Sequence, residues 1–185
     1  MMSLTPEERE VGRDNYWEAI GVSRRDFLKG VIAAGAVTGG GLGAMYFGYD
    51  KITNPVRVGV IGLGARGPGA VHIYAGLPGA QVTALCDLHK ERAENQQKWL
   101  KEKGKPDADV YGGTEDAWKK LCESDKVDLV HVTTPWLLHA PMALYAMRRG
   151  KHVAIEVPAA VTVDECWDMV ETAEKTRRHC MMLEN

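Results

Sequence analysis

Short apolar runs and amphipathic segments alternate along the chain from residue 55 to its end. The apolar runs are rich in β-branched residues and have the length of buried strands, whereas the segments between them repeat their apolar positions with the period of a helix. Strict alternation of strand and helix implies right-handed crossovers and a parallel sheet covered on both faces. The pattern therefore predicts an α/β, doubly wound domain over residues 55–185, with strands at 56–61, 81–86, 127–132, 152–156 and 180–183.

Helix-capping residues and helix-breaking residues set the limits of the intervening helices. Thr162 and Glu165 have the spacing of a capping box, which predicts the start of the last helix. Thr114 is expected to cap a shorter helix that runs to Cys122. Pro78-Gly79, Gly104 and Gly150 stop the others. The predicted helices cover about 67–77, 88–103, 114–122, 139–149 and 162–178.

Residues 1–50 are interpreted as a leader that lies outside the fold. Ser23-Arg24-Arg25-Asp26-Phe27-Leu28-Lys29 closely resembles the twin-arginine export signal, and an uncharged, glycine-rich apolar stretch follows over residues 31–47. This stretch is short and weakly apolar for a membrane-spanning helix, which needs about 20 strongly apolar residues. We expect export through the twin-arginine pathway to the periplasm, with membrane contact only through the signal; an N-terminal membrane anchor is the alternative.

Composition and charge exclude several classes of function. The chain is 45% hydrophobic and 26% charged, as in ordinary globular proteins. Residues 51–185 contain 18 basic and 18 acidic side chains, so no basic surface for nucleic acid is predicted. The four cysteines and six histidines lack metal-ligand spacing, which predicts structural thiols and no metal site. Ser124, the only serine beyond the leader, belongs to no nucleophile motif, and zinc-hydrolase and P-loop motifs are absent.

A glycine-rich turn follows the first predicted strand. Gly62-Leu63-Gly64-Ala65-Arg66-Gly67 has the G-x-G-x-x-G spacing in which the first glycine allows a tight turn, the second lets the backbone approach a pyrophosphate, and the third lets helix pack on strand. Asp87 ends the second strand 20 residues after Gly67, where an acidic side chain accepts hydrogen bonds from the adenosine ribose and repels a 2′-phosphate. These residues predict a site for NAD rather than NADP.

Two further segments follow predicted strands, at the edge of the sheet where ligands bind. Thr133-Thr134-Pro135-Trp136-Leu137-Leu138-His139 offers a flat indole ring and an imidazole near the start of a helix, where the dipole disfavours protonation. An alternative is that Trp136 packs in the core and His139 is a polar residue at the helix start. Glu156-Val157-Pro158 closes the strand that begins at His152. A ligand-binding role is favoured for Glu156, because an unpaired buried carboxylate is costly.

The order of these motifs resembles that of the Gfo/Idh/MocA oxidoreductase superfamily over residues 55–185. Gly150-Lys151-His152-Val153 adds to the resemblance. Sugar dehydrogenases of the superfamily usually read Glu-Lys-Pro where this chain reads Glu156-Val157-Pro158, and their lysine assists proton transfer. The residue at the lysine position is Val157, which weakens the case for a simple sugar dehydrogenase.

Longer strings resemble glycosyl hydrolase family 109 within the same superfamily. They include Trp136-Leu137-Leu138-His139, Glu156-Val157-Pro158-Ala159-Ala160 and residues 115–122, 164–167 and 179–185. The resemblance implies an α-N-acetylgalactosaminidase with tightly held NAD, which oxidises sugar C3 so that elimination and water addition proceed with retention. The NAD contacts it implies fall on Ala65, Arg66, Asp87, Trp136, Leu137, Leu138, His139, Glu156, Val157 and Asn185, beside the predicted contacts at Gly62, Gly64 and Gly67.

The same resemblance implies a second α/β domain downstream of Asn185. That domain would supply the substrate pocket, the catalytic base and any surface for homo-oligomers, so the chain is expected to be an N-terminal part that is inactive alone. The substrate of the whole protein would be a small glycoside. Two alternatives stay open: an NAD-linked sugar oxidoreductase of the superfamily, and a non-catalytic dinucleotide-binding module.

Overall fold

The computed structural model describes residues 54–183. The leader at 1–50 and the predicted contact residue Asn185 lie outside this range. No helix within residues 54–183 is long and apolar enough to cross a membrane.

Six strands and five helices alternate along the described chain. The strands are β1 (Val56–Ile61), β2 (Ala80–Asp87), β3 (Asp109–Gly112), β4 (Leu129–Val132), β5 (His152–Glu156) and β6 (Cys180–Leu183). The helices are α1 (Gly67–Gly76), α2 (Lys90–Glu102), α3 (Ala117–Glu123), α4 (His139–Arg148) and α5 (Val163–Thr176), and a 3₁₀ turn at Trp136–Leu138 precedes α4.

All six strands join one parallel sheet in the order β3-β2-β1-β4-β5-β6. The strands β2 and β3 are thus added on one side of β1, and the strands β4, β5 and β6 are added on its other side. This is the doubly wound order of a dinucleotide-binding fold, and it confirms the predicted fold class. The reversal places the carboxyl ends of β1 and β4 side by side, which is where such sheets bind ligands.

The core lies in two layers, one on each face of the sheet. Val58 and Val60 of β1 point to the layer that α1 and α2 cover, where Leu100 is also buried. Ile61 and Ile155 point to the opposite layer, which α3, α4 and α5 cover. Adjacent strand residues therefore serve different layers, so the strands read as continuous apolar runs rather than as alternating ones.

The predicted capping box is present at the start of α5. Thr162 Oγ1 accepts a hydrogen bond from the amide of Glu165 at 3.2 Å, and Glu165 Oε2 accepts one from the amide of Thr162 at 3.1 Å. The helix ends at Thr176 because Arg177 adopts a left-handed conformation with φ 54°. The predicted helix is thus confirmed, with its end two residues earlier than expected.

Two local predictions are wrong, and one strand was not predicted. Thr114 does not cap α3: Asp116 occupies the N-cap position without a side-chain bond, and the carbonyl of Thr114 accepts from the amide of Ala117. The second helix begins at Lys90 rather than at residue 88, because the amide of His89 donates instead to Asp87 Oδ1 at 2.8 Å. The strand β3 was not predicted.

Candidate functional site

A cavity of about 810 Å³ opens at the carboxyl edge of the sheet, where the strand order reverses. It receives residues from the ends of β1, β2 and β4 and from the loop before α3. Its lining includes the predicted residues Gly62, Gly64, Ala65, Arg66, Asp87 and Leu138, together with Arg92, Thr114, Thr133 and Thr134. The structure therefore brings the glycine loop, the acidic residue and the segment after β4 together around one space.

The three glycines of the loop meet different steric demands. Gly62 has φ +91°, and a Cβ there would lie 2.7 Å from the carbonyl oxygen of Thr133. A Cβ on Gly67 would lie 2.0 Å from the carbonyl oxygen of Gly62. At Gly64 the nearest atom to a Cβ would be Arg92 Nη1, at 3.7 Å. Gly62 and Gly67 are thus required by the fold itself, whereas Gly64 leaves open space through which a phosphate group can approach the backbone.

Asp87 is nearly inaccessible, with 6% of its surface exposed, and its carboxylate faces the glycine loop. Oδ2 accepts a hydrogen bond from the amide of Leu63 at 2.6 Å, and Oδ1 accepts one from the amide of His89 at 2.8 Å. Arg92 Nη1 lies 3.6 Å from Oδ1. A carboxylate has about four lone-pair sites, so two remain for a ribose hydroxyl.

The segment after β4 is tied to the glycine loop by Thr133. Its hydroxyl donates to the carbonyl oxygen of Gly62 and lies 3.2 Å from that of Ile61. The carbonyl oxygen of Ile61 also accepts from the amide of Thr133 at 2.9 Å. These contacts hold one wall of the cavity against the other.

His139 is almost completely buried, with 1% of its surface exposed, at the start of α4. Its Nδ1 lies 2.7 Å from the carbonyl oxygen of Pro158, and its Nε2 lies 2.7 Å from that of Thr134. The ring does not line the cavity. It instead links the two loops that follow β4 and β5, which are the segments that the sequence predicts to contact the cofactor.

The remaining predicted residues lie next to the cavity rather than in its wall. Trp136 and Leu137 are 63% and 74% exposed, so the alternative that Trp136 packs in the core is wrong. Glu156 is the last residue of β5, one position beyond the pairing of Val132 with Ile155, and Val157 follows it. These side chains therefore stand at the same edge of the sheet, around the β4–β5 side of the cavity.

Glu156 has two aromatic neighbours on the α1 face of the sheet. His131 Nε2 lies 3.9 Å from Glu156 Oε1, and the ring of Tyr74 stands edge-on to His131 with centroids 5.5 Å apart. Burial, and then the charge of Glu156, raises the pKa of the Tyr74 hydroxyl. Burial lowers the pKa of His131 to about 4, so this imidazole is neutral at pH 7.

Two of the cysteines in the described chain, Cys86 and Cys122, are core thiols. All four are free, and Cys86 and Cys122 are buried. Burial raises the pKa of both of these thiols to about 12, so neither ionises near neutral pH.

Several residues of the site escaped the sequence analysis. Arg92 has no motif of its own, but its position five residues after Asp87, on the first turn of a helix that starts at the sheet edge, could have indicated it. Thr133 directly follows a predicted strand and could have been found by the same rule. His131 lies inside an apolar run, and nothing in the sequence distinguishes it from a core residue.

The cavity fits a dinucleotide on its own geometry. Gly64 leaves the backbone accessible, α1 begins at Gly67 with its amide end toward the loop, and Asp87 offers free acceptor sites. Together with the strand order, these features define a dinucleotide-binding Rossmann domain. A family model described as an oxidoreductase family with an NAD-binding Rossmann fold, of the Gfo/Idh/MocA type, matches residues 56–184. The chain belongs to this family, and the prediction of an NAD-binding domain is confirmed.

Curated relatives share more than the fold. The chain is 61% identical over 130 residues to glycosyl hydrolase family 109 protein 1 of Bacteroides thetaiotaomicron, a match that covers 70% of this chain and 28% of the relative. It is 54% identical over 130 residues to an alpha-N-acetylgalactosaminidase of Bacteroides fragilis, covering 70% of this chain and 30% of the relative. The predicted resemblance to family 109 is confirmed, and the chain spans less than a third of the length of these relatives.

Solved structures agree with the fold. An NAD-binding protein from Listeria innocua superposes with a TM-score of 0.59 at 23% identity, covering 70% of this chain and 35% of that chain. The 3-ketoreductase KijD10 of Actinomadura kijaniata, in complex with NADP, superposes with a TM-score of 0.59 at 29% identity, covering 70% and 38%. The first likeness concerns the fold alone.

Proposed function

We propose that the chain is the NAD-binding part of a glycosidase that cleaves α-N-acetylgalactosaminides with retention of configuration. The observation that carries this proposal is the 61% identity to a family 109 glycosyl hydrolase over 130 residues. The 54% identity to a relative named alpha-N-acetylgalactosaminidase supports the choice of substrate. Val157, where sugar dehydrogenases of the superfamily usually have lysine, also favours a glycosidase.

The roles proposed for this chain concern the cofactor. Backbone amides of the loop from Gly62 to Gly67 bind the pyrophosphate, since Gly64 leaves their approach open. Asp87 accepts hydrogen bonds from the adenosine ribose. The proposed contacts on the β4–β5 side of the cavity are Trp136, Leu137, Leu138, His139, Glu156 and Val157, with Ala65 and Arg66 in the loop and Asn185 beyond the described residues. At His139 the proposed contact excludes the ring, which is buried between two loops and does not line the cavity.

When bound, NAD supplies reversible oxidation at sugar C3, which acidifies the C2 proton and permits elimination at C1 followed by addition of water. This chain contributes binding and orientation: its loop fixes the phosphates, and its β4–β5 side fixes the reactive end of the cofactor. The groups that hold the sugar and move its C2 proton are assigned to the part of the protein that follows this chain.

The proposal is tested on the whole protein that contains this chain, purified without added cofactor. We expect it to release p-nitrophenol from p-nitrophenyl α-N-acetylgalactosaminide while the amount of NADH, measured by chromatography of quenched samples, stays constant, because the hydride returns to the substrate in each cycle. Absence of hydrolysis by protein that contains bound NAD would contradict the proposal.

A sugar oxidoreductase is the second candidate, and the match to an oxidoreductase family favours it. Steady growth of absorbance at 340 nm with a free sugar would establish it in place of the glycosidase. Val157→Lys in the whole protein provides a further test. We expect this variant to show no sustained NADH production, whereas sustained production would favour the oxidoreductase. A protein that binds NAD but turns over neither substrate would be a non-catalytic dinucleotide-binding module.

We further propose that the protein is exported in folded form through the twin-arginine pathway to the periplasm. The support is the segment from Ser23 to Lys29, which lies outside the described residues. NAD is made in the cytoplasm, and a glycosidase that regenerates its NAD needs one molecule per protein, so folding around NAD before export would supply it. Replacing Arg24 and Arg25 by lysine should retain NAD-loaded protein in the cytoplasm. Unchanged export of this variant would contradict the proposal. Carbonate extraction tests the alternative of an N-terminal membrane anchor: native protein that stays with the membranes would support that alternative.

A further inference from the structure

His131 is a buried imidazole whose nitrogen atoms contact no hydrogen-bond partner. It lies in β4 with 3% of its surface exposed, and both Nδ1 and Nε2 are buried without a partner among the described residues. Most buried polar atoms in native proteins have a partner, so an imidazole in this state needs an explanation. Its location gives one.

The nearest charged group is the carboxylate of Glu156. His131 pairs with Ala154 of β5, and Glu156 lies two residues further along that strand, so both side chains stand on the same face of the sheet. His131 Nε2 and Glu156 Oε1 are 3.9 Å apart, about 1 Å more than a hydrogen bond requires. The Glu156 side chain is 22% exposed, so it can move while the histidine is held by the core.

Among the described neighbours of His131, Glu156 is the one that carries a charge. Tyr74 approaches from α1 with its ring edge-on, and β1 presents the apolar Val60 beside it. Burial lowers the pKa of His131 to about 4, so at pH 7 the ring is neutral and carries one N–H. A neutral imidazole between apolar walls and a carboxylate is stabilised when that N–H faces the carboxylate.

We infer that His131 is a positioning residue for Glu156: its Nε2–H donates to the carboxylate and holds it in the orientation in which Glu156 meets the cofactor. This inference rests on the proposed role of Glu156 in NAD binding. The histidine acts only through the glutamate, because it is buried and does not line the cavity. A single N–H donor fixed by a strand directs the carboxylate more strongly than solvent does.

Nitrogen-15 NMR of the 185-residue chain at pH 7 tests the pair without reference to NAD. We expect His131 to carry its proton on Nε2 and to give a slowly exchanging, downfield Nε2–H resonance. Glu156→Ala should remove this resonance, whereas Tyr74→Phe, which alters the other neighbour, should retain it. A proton on Nδ1, or a resonance that persists in Glu156→Ala, would overturn the inference.

NAD affinity tests the consequence by a double-mutant cycle. His131→Phe, of similar volume and without a donor, should raise the Kd about tenfold. His131→Gln, which retains an N–H donor, should recover most of the loss. In the Glu156→Ala background, His131→Phe should change the Kd less than about twofold. Equal effects in both backgrounds would show that His131 acts only on the fold, which overturns the inference.

The two measurements separate this inference from the proposal it rests on. If Glu156→Ala leaves the Kd for NAD unchanged, the proposed cofactor role of Glu156 fails, while the Nε2–H resonance still decides whether His131 holds the carboxylate. If His131→Phe does not fold, the comparison of the native chain with Glu156→Ala by NMR remains decisive.

Discussion

The backbone amide of Leu63 donates a 2.6 Å hydrogen bond to the carboxylate of Asp87. This bond joins the glycine loop after β1 to the end of β2, so the residue predicted to bind the ribose also fixes the loop predicted to bind the pyrophosphate. A change at Asp87 therefore acts on both parts of the site.

Asp87→Ala should weaken NAD binding by about 1–3 kcal/mol, because hydrogen bonds to an ionised carboxylate are lost. The same change leaves the amide of Leu63 without its acceptor, so the free energy of unfolding should fall by about 1–3 kcal/mol. Calorimetric titration with NAD and urea unfolding measure the two effects. Asp125→Ala is the matched control, because Asp125 is exposed and precedes β4, at the end of the strand away from the cavity. It should change neither the NAD affinity nor the free energy of unfolding. Unchanged NAD affinity in Asp87→Ala would remove this residue from the site.

Alanine at Gly64 and at Gly67 should separate binding from folding. Gly64→Ala has space for its Cβ, so the chain should fold with nearly native stability but bind NAD at least tenfold more weakly. Gly67→Ala places a Cβ 2.0 Å from a carbonyl oxygen, so it should destabilise the domain by more than about 2 kcal/mol. Circular dichroism with urea, followed by NAD titration, distinguishes these results.

Gly69→Ala provides the control for both glycine variants. It lies in the first turn of the same helix and its Cβ would meet nothing within 4 Å. It should therefore leave NAD affinity unchanged and stabilise the chain by about 0.5–1 kcal/mol through helix propensity. If Gly64→Ala and Gly69→Ala bind NAD equally well, no phosphate group approaches the backbone at Gly64.

His131 should make the stability of the domain depend on pH between about 6.5 and 4. Burial lowers the pKa of His131 from 6.5 to about 4 in the folded state, so below pH 6.5 the unfolded chain binds a proton that the folded chain does not. Keeping His131 neutral costs the folded state nothing above pH 6.5. As the pH falls below that value, the free energy of unfolding decreases, by about 3 kcal/mol at pH 4. Urea unfolding at pH 7, 6, 5 and 4 measures this slope.

His131→Phe should reduce the slope in that window, although His152, whose pKa is also lowered by burial, contributes in the same direction. Gly69→Ala on α1 removes no titratable group and has space for its Cβ, so it should retain the native slope. The carboxyl group of Asp128, whose pKa is lowered first by its hydrogen bond with Arg57, acts at lower pH and does not interfere. Equal slopes for the native chain and His131→Phe would contradict the assignment.

His139→Ala should loosen both loops at the β4–β5 side of the cavity. It removes the contacts with the carbonyl oxygens of Thr134 and Pro158 and leaves a buried cavity, which should cost about 2–4 kcal/mol of stability. Hydrogen exchange should rise at the amides of Thr134 and Ala159 beyond the global change. His139→Gln, which retains an amide donor, should lose less. Loop exchange that rises no more than in the rest of the domain would show that the ring does not join the loops.

The sequence is sufficient to predict the fold because most of its strands are continuous apolar runs and its helices have clear limits. β3 was missed because its four residues, Asp109–Gly112, are all half-buried, and only pairing with β2 makes them a strand. Thr114 was assigned a cap from residue type alone, whereas the turn that ends at Ala117 uses its carbonyl instead. Short elements depend on distant partners, and a local pattern does not contain that information.

The residues of the site also differ in whether a local sequence pattern identifies them. The glycine loop and Asp87 follow a spacing rule and were found, and the structure places both at one cavity. Arg92 and His131 belong to the site by position only, since one extends from a helix and the other lies within an apolar strand. Their relevance depends on the register of β4 with β5 and on the start of α2, which three-dimensional packing determines.

The outermost strand, β6, has a practical consequence for work with the purified chain. It pairs with β5 on one side and, within residues 54–183, with no strand on the other, and its Met181 and Met182 are 57% and 53% exposed. An apolar strand with a free edge is a template on which a second copy can add. Solutions of the chain should therefore scatter more light per molecule as concentration rises, and peroxide treatment, which converts the two thioethers to polar sulfoxides, should keep them clear.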